Sequence, residues 1–483
     1  MDPLIPPGGR VPGATLAKLL GPWRHGDRSG SVDLAGAVRM LVLDGRLTTG
    51  TRLPAERELA DALGASRTLV TAAMDRLREE GLVASRRGAG SWVTLPGGAA
   101  RPGGWWPTPV PDLLDLSCVA PPAPPELAAA VDRARLRVPE HLVTPGYQPL
   151  GLTQLRERIA GRYTERGLPT RPDQVLVTNG AQHALAMVLR LLVGPGDRVL
   201  MEHPTYPNAI EAVLAAHATP VPVPMAEDGW DADGLAAALR QAAPRMAFLI
   251  PDFHNPTGLR MDVAARERLA AALRRTRTPA FVDETLVELD LGEDPVGAPP
   301  PFAAFAEDLV VTAGSTSKSF WGGLRIGWVR ASTEVVHRLV AARPAMDLGS
   351  PVLEQLVVAE LLADPEPLLG GRRADFRRQR DVLAEALREH CPGWEFRVPQ
   401  GGLVLWARLE EPVSTRLAVA AEGVGVRIAP GSRFAVTGSL ERHLRLPYSL
   451  PANRLVEAAQ RLGMARAAIA PRTTAADLPL PVT

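Results

Sequence analysis

Residues 314–325 read GSTSKSFWGGLR, and the lysine within them, Lys318, is unusual for this chain. Lys18 is the only other lysine among 483 residues, so almost all of the 54 Lys and Arg side chains are arginines. An arginine keeps its proton and cannot act as a nucleophile, whereas a lysine amine can. A lysine retained in a Gly- and Ser-rich stretch therefore indicates covalent chemistry. Composition alone leaves a surface lysine as an equal alternative.

Polar residues follow five short apolar runs in the central part of the chain. The runs alternate with helical segments and are VLVT (175–178), RVLME (198–202), MAFLI (246–250), AFV (280–282) and LVVT (309–312). The polar groups that follow them are NGAQ (179–182), HPTY (203–206), HNPTG (254–258), Asp283 and GSTSK (314–318). Such alternation predicts a mixed or parallel sheet covered by helices, in which ligands bind beyond the strand ends.

Composition limits the classes of function that remain open. The formal net charge of +1 shows no global basic excess, so any nucleic-acid contact must be local. The two cysteines, Cys118 and Cys391, provide neither a disulfide framework nor the paired spacing of a zinc site, and we expect buried thiols and no metal. The N-terminus lacks an apolar signal core, and the most apolar stretch, 184–193, is interrupted by Arg190. We therefore expect a cytoplasmic protein.

The N-terminal part has the pattern of a helix-turn-helix followed by a wing. Helical apolar spacing begins at Val32, and a second helix is predicted over about 55–63. Gly64 ends that helix, and Ser66 is the predicted N-cap of a third. The segment LVASRRGAGSWVTL (82–95) then predicts two short strands joined by a glycine-rich tip.

These patterns predict a multidomain chain of about three folding units. The predicted divisions are a flexible arm (1–30), a mainly α winged helix-turn-helix (31–95), a Pro/Gly-rich linker (96–111), an α/β domain (112–465) and a disordered tail (466–483). No repeat of 20 to 50 residues is visible, so a solenoid is not expected.

The stretch RLPAERELADALGASRTLVTAAMDRLREEGLVASRRGAGSWV (52–93) resembles the winged helix-turn-helix of GntR-type regulators over its whole length. Residues at the start of a recognition helix reach base edges in the major groove, and wing arginines contact the backbone or the minor groove. The resemblance implies sequence-specific operator binding by Arg57, Ser66, Arg67, Thr68, Arg86, Arg87 and Gly88. Thr71 stands where some relatives carry another arginine, so the base preference does not transfer.

The motifs after the apolar runs together resemble fold-type I enzymes of the class I aminotransferase family, which bind pyridoxal 5'-phosphate (PLP). The resemblance covers about 116–462 and implies an α/β transferase-like domain with a smaller α+β C-terminal part. It implies that Lys318 forms the internal aldimine, that Asp283 pairs with the pyridine nitrogen and that Asn255 bonds the ring hydroxyl. Lys318 and Asp283 would be the catalytic residues.

The same resemblance implies further contacts around the cofactor. Those to the phosphate would come from Gly180, Ala181, Gln182, Ser315, Ser317 and Arg325. Tyr206 would stack on the ring, and Tyr147 matches a tyrosine that reaches the phosphate of the neighbouring subunit in a homodimer. Arg445 matches the arginine that binds the carboxylate of an amino acid.

Each residue also has a structural explanation when taken alone. Asp283 could cap a helix, Tyr206 could be a core aromatic and Arg445 could form a surface ion pair. Asn255 could be a turn former, and His254 is expected to be structural rather than a general base. The joint order of the motifs favours cofactor binding. The chain departs from the family pattern at one position. Many relatives carry a tyrosine that supports the ring hydroxyl three residues after the aspartate, and this chain has Leu286 there.

A GntR-like module followed by an aminotransferase-like domain is the architecture of the MocR/GabR family. The resemblance implies a PLP-dependent transcription regulator that senses PLP or an amino acid. A catalytically active aminotransferase with an accessory DNA-binding module remains the alternative, since the lysine is present. A GntR-like regulator that binds its effector without PLP is a third reading.

Overall fold

The computed structural model describes residues 10–21, 23–24, 30–43, 46–47, 50–86, 90–94, 112–292, 297–437 and 440–469. The chain divides into two compact units, Met1–Pro109 and Val110–Thr483. Within the described ranges, no helix has the length and apolarity that a membrane crossing requires. Arg87, Gly88, the linker 96–111 and the tail beyond 469 lie outside the described residues. Residues 466–469, which were predicted to begin the disordered tail, are instead the end of a helix, Ala452–Ile469.

The described residues of the N-terminal unit form four helices and a two-stranded antiparallel sheet. Its elements are α1 (Gly13–Leu20), α2 (Gly30–Leu43), α3 (Glu56–Leu63), α4 (Arg67–Glu79), β1 (Val83–Arg86) and β2 (Gly90–Val93). Gly64 adopts φ 59° and ends α3, a left-handed conformation that suits glycine. The Ser66 hydroxyl accepts a hydrogen bond from Leu69 N at 3.3 Å, which confirms the predicted N-cap of α4. The predicted winged helix-turn-helix is therefore confirmed.

The first helix differs from the flexible arm expected for 1–30. Leu16 of α1 is completely buried in the same apolar cluster as the helix-turn-helix. The Glu58 carboxylate accepts hydrogen bonds from Gly13 N at 2.8 Å and from Arg10 at 2.6 Å. Residues 10–21 are thus a docked part of this unit. The short apolar piece was visible in the sequence, but its partner on α3 was not.

A polar network connects α3, α4 and the wing. Arg78 of α4 donates to the Ser85 hydroxyl of β1 at 2.9 Å and to Glu56 of α3 at 2.6 Å. Glu56 also accepts from the Thr71 hydroxyl at 2.6 Å. These bonds fix the wing relative to the recognition helix. In this chain Thr71 therefore makes a hydrogen bond within the N-terminal unit, to Glu56.

The C-terminal unit alternates strands and helices along most of its length. Its first elements are β3 (Leu114–Leu116), α5 (Glu126–Arg137), α6 (Thr153–Glu165), β4 (Val175–Thr178), α7 (Ala181–Leu192), β5 (Arg198–His203), α8 (Pro207–Ala215), β6 (Thr219–Pro224) and α9 (Ala232–Ala242). The next are β7 (Met246–Leu249), α10 (Val263–Thr276), β8 (Ala280–Asp283), β9 (Val310–Ser315), β10 (Gly327–Arg330), α11 (Thr333–Ala342), α12 (Val352–Leu361) and α13 (Glu366–His390). The last are β11 (Glu395–Phe396), β12 (Val404–Arg408), α14 (Ser414–Gly423), β13 (Val426–Pro430), β14 (His443–Pro447) and α15 (Ala452–Ile469).

The larger sheet has seven strands in the order β4-β10-β9-β8-β7-β5-β6, and β10 alone is antiparallel to its neighbours. Alternate side chains enter two apolar clusters, one with α6, α9, α10 and α12 and the other with α7, α8 and α11. Helices therefore cover both faces of a mixed sheet, as predicted. The five strands predicted to carry polar residues at their ends all belong to it.

A smaller five-stranded sheet has the order β11-β12-β14-β13-β3 and packs on α13, α14 and α15. This is the predicted smaller α+β part. The C-terminal chain does not build it alone, because β3 adds a parallel edge strand beside β13. Residues that follow β3 are thereby carried back to the strand ends of the larger sheet.

Candidate functional sites

Lys318 lies in a π-helical turn, Ser317–Trp321, immediately after β9. Its Nζ donates a hydrogen bond to the carbonyl of Val119. Burial lowers the pKa of Lys318 and Arg445 adds to the effect, whereas Cys118 and Asp283 oppose it. The amine therefore loses its proton more easily than an exposed lysine does, which suits a nucleophile.

Asp283 is the last residue of β8 and lies close enough to Lys318 for their charges to interact. Its Oδ1 accepts a hydrogen bond from Thr285 N at 2.8 Å. Burial raises the pKa of Asp283, while Thr285 and Lys318 oppose that rise. Because burial disfavours the ionised form of this carboxylate, a cationic partner such as a protonated ring nitrogen would stabilise it.

Arg445 of β14 is a buried guanidinium, only 6% exposed. It donates to Asn255 Oδ1 at 3.2 Å and to the carbonyl of Ser117, and its Cζ lies 4.8 Å from the centre of the Phe434 ring. Among the described residues, its Nε has no hydrogen-bond partner and it forms no salt bridge. Burial lowers the pKa of Arg445 to about 10. A buried cation without a carboxylate is costly, so this position favours binding of an anionic group.

An anion cradle forms at the start of α7, where Gly180 has φ 91°. We use this name for residues 179–182 together with Arg325. Arg325 donates to Asn179 O at 2.9 Å, and a Cβ on Gly180 would lie 2.7 Å from the same guanidinium nitrogen. Only glycine allows this approach of the guanidinium to the helix start. The free N–H groups of the first turn and the guanidinium provide donors for a phosphate.

The other residues predicted to contact the cofactor differ in how closely they approach the cradle and Lys318. The Ser315 hydroxyl donates to the Ser317 hydroxyl at 3.1 Å. Tyr206 interacts electrostatically with Asp283, and burial raises the pKa of its phenol to about 12. Gln182 is exposed and its amide donates to Asn208 O at 3.1 Å. Tyr147 is 66% exposed, and within the described chain its hydroxyl makes no hydrogen bond to this cluster.

Leu286 and His254 contribute no exposed polar atom to the cluster. Leu286 is 8% exposed and packs in the apolar cluster that contains Phe253. His254 is completely buried, with Nδ1 2.9 Å from the Thr257 hydroxyl and Nε2 3.3 Å from Glu202 Oε2. His254 therefore supports the loop that carries Asn255.

The segment 117–119 belongs to this cluster and was not predicted. Its carbonyls at Ser117 and Val119 accept from Arg445 and Lys318, so Cys118 lies between the two cations. Burial raises the pKa of the Cys118 thiol, which favours the neutral form. The signal in the sequence was small: the apolar residues of β3 followed directly by Ser and Cys and then by prolines.

Five of the seven predicted DNA-contacting residues are described, and all five are on the surface of the N-terminal unit. Arg67 and Thr68 are the first two residues of α4 and are exposed, as is Arg57 on α3. Arg86 is the exposed last residue of β1. Ser66 is exposed too, and its hydroxyl caps α4. The wing-tip residues Arg87 and Gly88 are not among those that the structure describes.

The fold and these clusters define a winged helix-turn-helix joined to an aminotransferase-like α/β domain. Residues 126–462 match the family model of aminotransferase class I and II, and residues 31–93 match that of bacterial regulatory proteins of the gntR family. The chain therefore belongs to the aminotransferase class I and II family and carries a GntR-type DNA-binding module before that domain. The resemblance stated from the sequence is confirmed.

Relatives include both enzymes and regulators. The 2-aminoadipate transaminase of Thermus thermophilus is 33% identical, over 71% of this chain and 88% of that protein. The probable rhizopine catabolism regulatory protein MocR of Rhizobium meliloti is 29% identical, over 82% of this chain and 85% of that protein. A similar solved structure is LysN, an alpha-aminoadipate aminotransferase from Thermus thermophilus complexed with N-(5'-phosphopyridoxyl)-L-leucine. It has 30% identity and a TM-score of 0.68, and the match covers 74% of this chain and 93% of that one.

Proposed function

We propose that this chain is a PLP-dependent transcription regulator, which binds an operator as a homodimer and senses an amino acid at its cofactor site. One observation carries the proposal: an exposed recognition-helix start occurs in the same chain as a partly buried lysine, an anion cradle and a buried arginine that has no carboxylate partner among the described residues. The length of the match to MocR, which includes both modules, supports the same reading. A DNA-binding regulator of this kind acts in the cytoplasm.

The residues of the α/β domain fit PLP. When bound, PLP supplies an aldehyde and an electron sink. Lys318 would supply the amine that attaches it, and Asp283 would hold the proton on the ring nitrogen. The anion cradle, with Ser315 and Ser317, would bind the phosphate, because it combines helix N–H groups with a guanidinium.

The buried guanidinium of Arg445 would bind the carboxylate of an amino-acid effector. The effector carboxylate would accept a hydrogen bond from Arg445 Nε, which has no partner among the described residues. It would also compete with Asn255 and Ser117 for the two other guanidinium nitrogens. A monocarboxylic amino acid needs no further anion partner. Binding of an effector would therefore change contacts of the segment 117–119, which directly follows β3 of the smaller sheet.

A second copy of the chain would complete the site. Tyr147 is exposed next to other exposed apolar side chains, and the resemblance places its hydroxyl at the phosphate of the neighbouring subunit. Leu142, Val143 and Leu348 are each more than half exposed, an unusual surface for side chains of this size. A homodimer would bury them.

We expect Arg67→Ala to weaken operator binding by about 1–3 kcal/mol, because a base contact from the start of the recognition helix would be lost. Competition with operator variants should show relaxed preference at one position of each half-site. Arg76→Ala is the matched control, because Arg76 is an exposed arginine near the other end of α4. Equal weakening on every DNA sequence would mean that Arg67 contacts only phosphate.

The proposal is tested with the purified chain in two assays. A mobility shift with DNA upstream of its own gene should show sequence-specific binding, and the same preparation should take up PLP with a shifted absorbance band. Failure to bind any sequence specifically would reject the regulator. Absence of PLP uptake would leave the reading in which the effector binds without the cofactor.

A working aminotransferase is the second candidate. The convergence of Lys318, Asp283 and Arg445 on one cluster favours it, as does the similarity to 2-aminoadipate transaminase. Multiple-turnover transamination of an amino acid, with operator affinity independent of that amino acid, would support this candidate over the regulator.

A further inference from the structure

Two side chains support the anion cradle from within the fold, His183 and Asp347. His183 Nδ1 accepts a hydrogen bond from Asn179 N at 3.1 Å, and its Nε2 lies 3.2 Å from Asp347 Oδ2. The same Asp347 oxygen accepts from the Asn179 side-chain amide at 2.8 Å. The residue that precedes Gly180 is thus held by its backbone and by its side chain.

The hydrogen-bond directions agree with a neutral imidazole. Because Nδ1 accepts from a backbone N–H, the single proton of neutral His183 belongs on Nε2, where it is donated to Asp347. Burial lowers the pKa of His183, and Arg343 and Arg325 add to this effect, whereas Asp347 opposes it. Neutral His183 therefore bridges Asp347 and the backbone N–H of Asn179 in the cradle.

The other oxygen of Asp347 points into a second set of contacts. Oδ1 accepts from Gly349 N at 2.9 Å and from Arg343, a residue only 1% exposed. Arg343 donates to Pro149 O at 2.7 Å and to Val177 O at 2.8 Å. One carboxylate therefore links the cradle to the backbone next to Tyr147.

Close backbone packing makes this second set rigid. Gly349 adopts φ 136°, and a Cβ there would lie 2.9 Å from Gln148 O. Leu348 is 52% exposed and Tyr147 is 66% exposed, and they extend from the two segments that pack here. We call the exposed side chains of Tyr147 and Leu348 the 147/348 face.

We propose that Asp347 is a positioning residue that fixes the anion cradle and the 147/348 face in one arrangement, so that cofactor binding and pairing of two copies strengthen each other. This inference rests on the proposed function, since it takes PLP as the ligand and a second copy as the partner. Linkage then requires a reciprocal effect: PLP tightens the dimer by the factor by which dimer formation tightens PLP binding.

Asp347→Asn keeps the shape of the side chain and removes its charge, which weakens four hydrogen bonds at once. We expect the PLP dissociation constant, measured by tryptophan fluorescence quenching of the apoprotein, to rise about tenfold. Asp364→Asn is the matched control, because Asp364 is exposed in the same unit. His183→Asn is a second variant, which keeps an acceptor near Asn179 N and loses the link to Asp347.

The coupling between PLP binding and dimer formation distinguishes a positioning role of Asp347 from a merely structural one. Sedimentation of the wild type with and without PLP should show a dimer dissociation constant lowered about fivefold or more by PLP. In Asp347→Asn and His183→Asn this factor should fall below about twofold, although a simple loss of stability would leave it unchanged. Full coupling in both variants would overturn the inference. A wild type that takes up no PLP or forms no dimer would overturn the proposed function with it.

Discussion

We expect Lys318→Ala to abolish covalent fixation of PLP by borohydride. The chain has two lysines, and Lys18 is in the N-terminal unit, so no other lysine amine of the described C-terminal unit can replace Lys318. Burial lowers the pKa of Lys318, so its amine loses a proton more easily than that of an exposed lysine. We expect complete loss of label in this variant, measured by mass spectrometry of the borohydride-reduced protein.

Lys18→Ala is the control and should keep full labelling, with the label on the peptide that contains residue 318. The cradle does not depend on the amine, so Lys318→Ala should still bind PLP reversibly. Unchanged covalent labelling of Lys318→Ala would reject the assignment of this lysine.

Leu286→Tyr should speed conversion of a bound amino acid to its keto acid by about 5- to 150-fold, which corresponds to one hydrogen bond of about 1–3 kcal/mol acting in the transition state. The wild-type leucine lies in an apolar cluster and can donate nothing to a ring hydroxyl. Single-turnover absorbance with the amino acid in excess would measure the rate.

Leu286→Phe is the matched control, because it adds the ring without the hydroxyl and shares the cost of a larger side chain in a packed cluster. A rate increase in both variants would mean that packing, not the hydroxyl, limits the reaction. A rate increase in neither variant would mean that the missing tyrosine hydroxyl does not limit conversion of the amino acid.

Local sequence patterns were sufficient to predict those features of the structure that depend on residues close together in the chain. The N-cap at Ser66 follows from spacing and residue type, and the structure has it where the sequence predicted. The strands β8 and β9 were also predicted, although they end at Asp283 and Ser315, one and three residues beyond the predicted apolar runs. The turn at Gly64 and the wing strands belong to the same class.

Contacts between distant segments could not be predicted in this way. The carbonyls of Ser117 and Val119 meet Arg445 and Lys318 across hundreds of residues, and nothing in their local sequence marks them as acceptors. The His183–Asp347 pair is similar, since an isolated histidine on a helix is usually a core or surface residue. The docking of α1 through Glu58 depends on three-dimensional packing in the same way.

The central claim is that the cofactor site controls DNA binding, and operator affinity tests it most directly. Fluorescence anisotropy of the full chain on its operator, at one fixed salt concentration, gives the dissociation constant for the apoprotein, the PLP form and the PLP form with each amino acid. We predict a change of about fivefold or more with PLP or with one amino acid, and an equal change in that ligand's affinity when the operator is present. Operator affinities that stay within twofold across all forms, in a protein that binds PLP, would contradict the account.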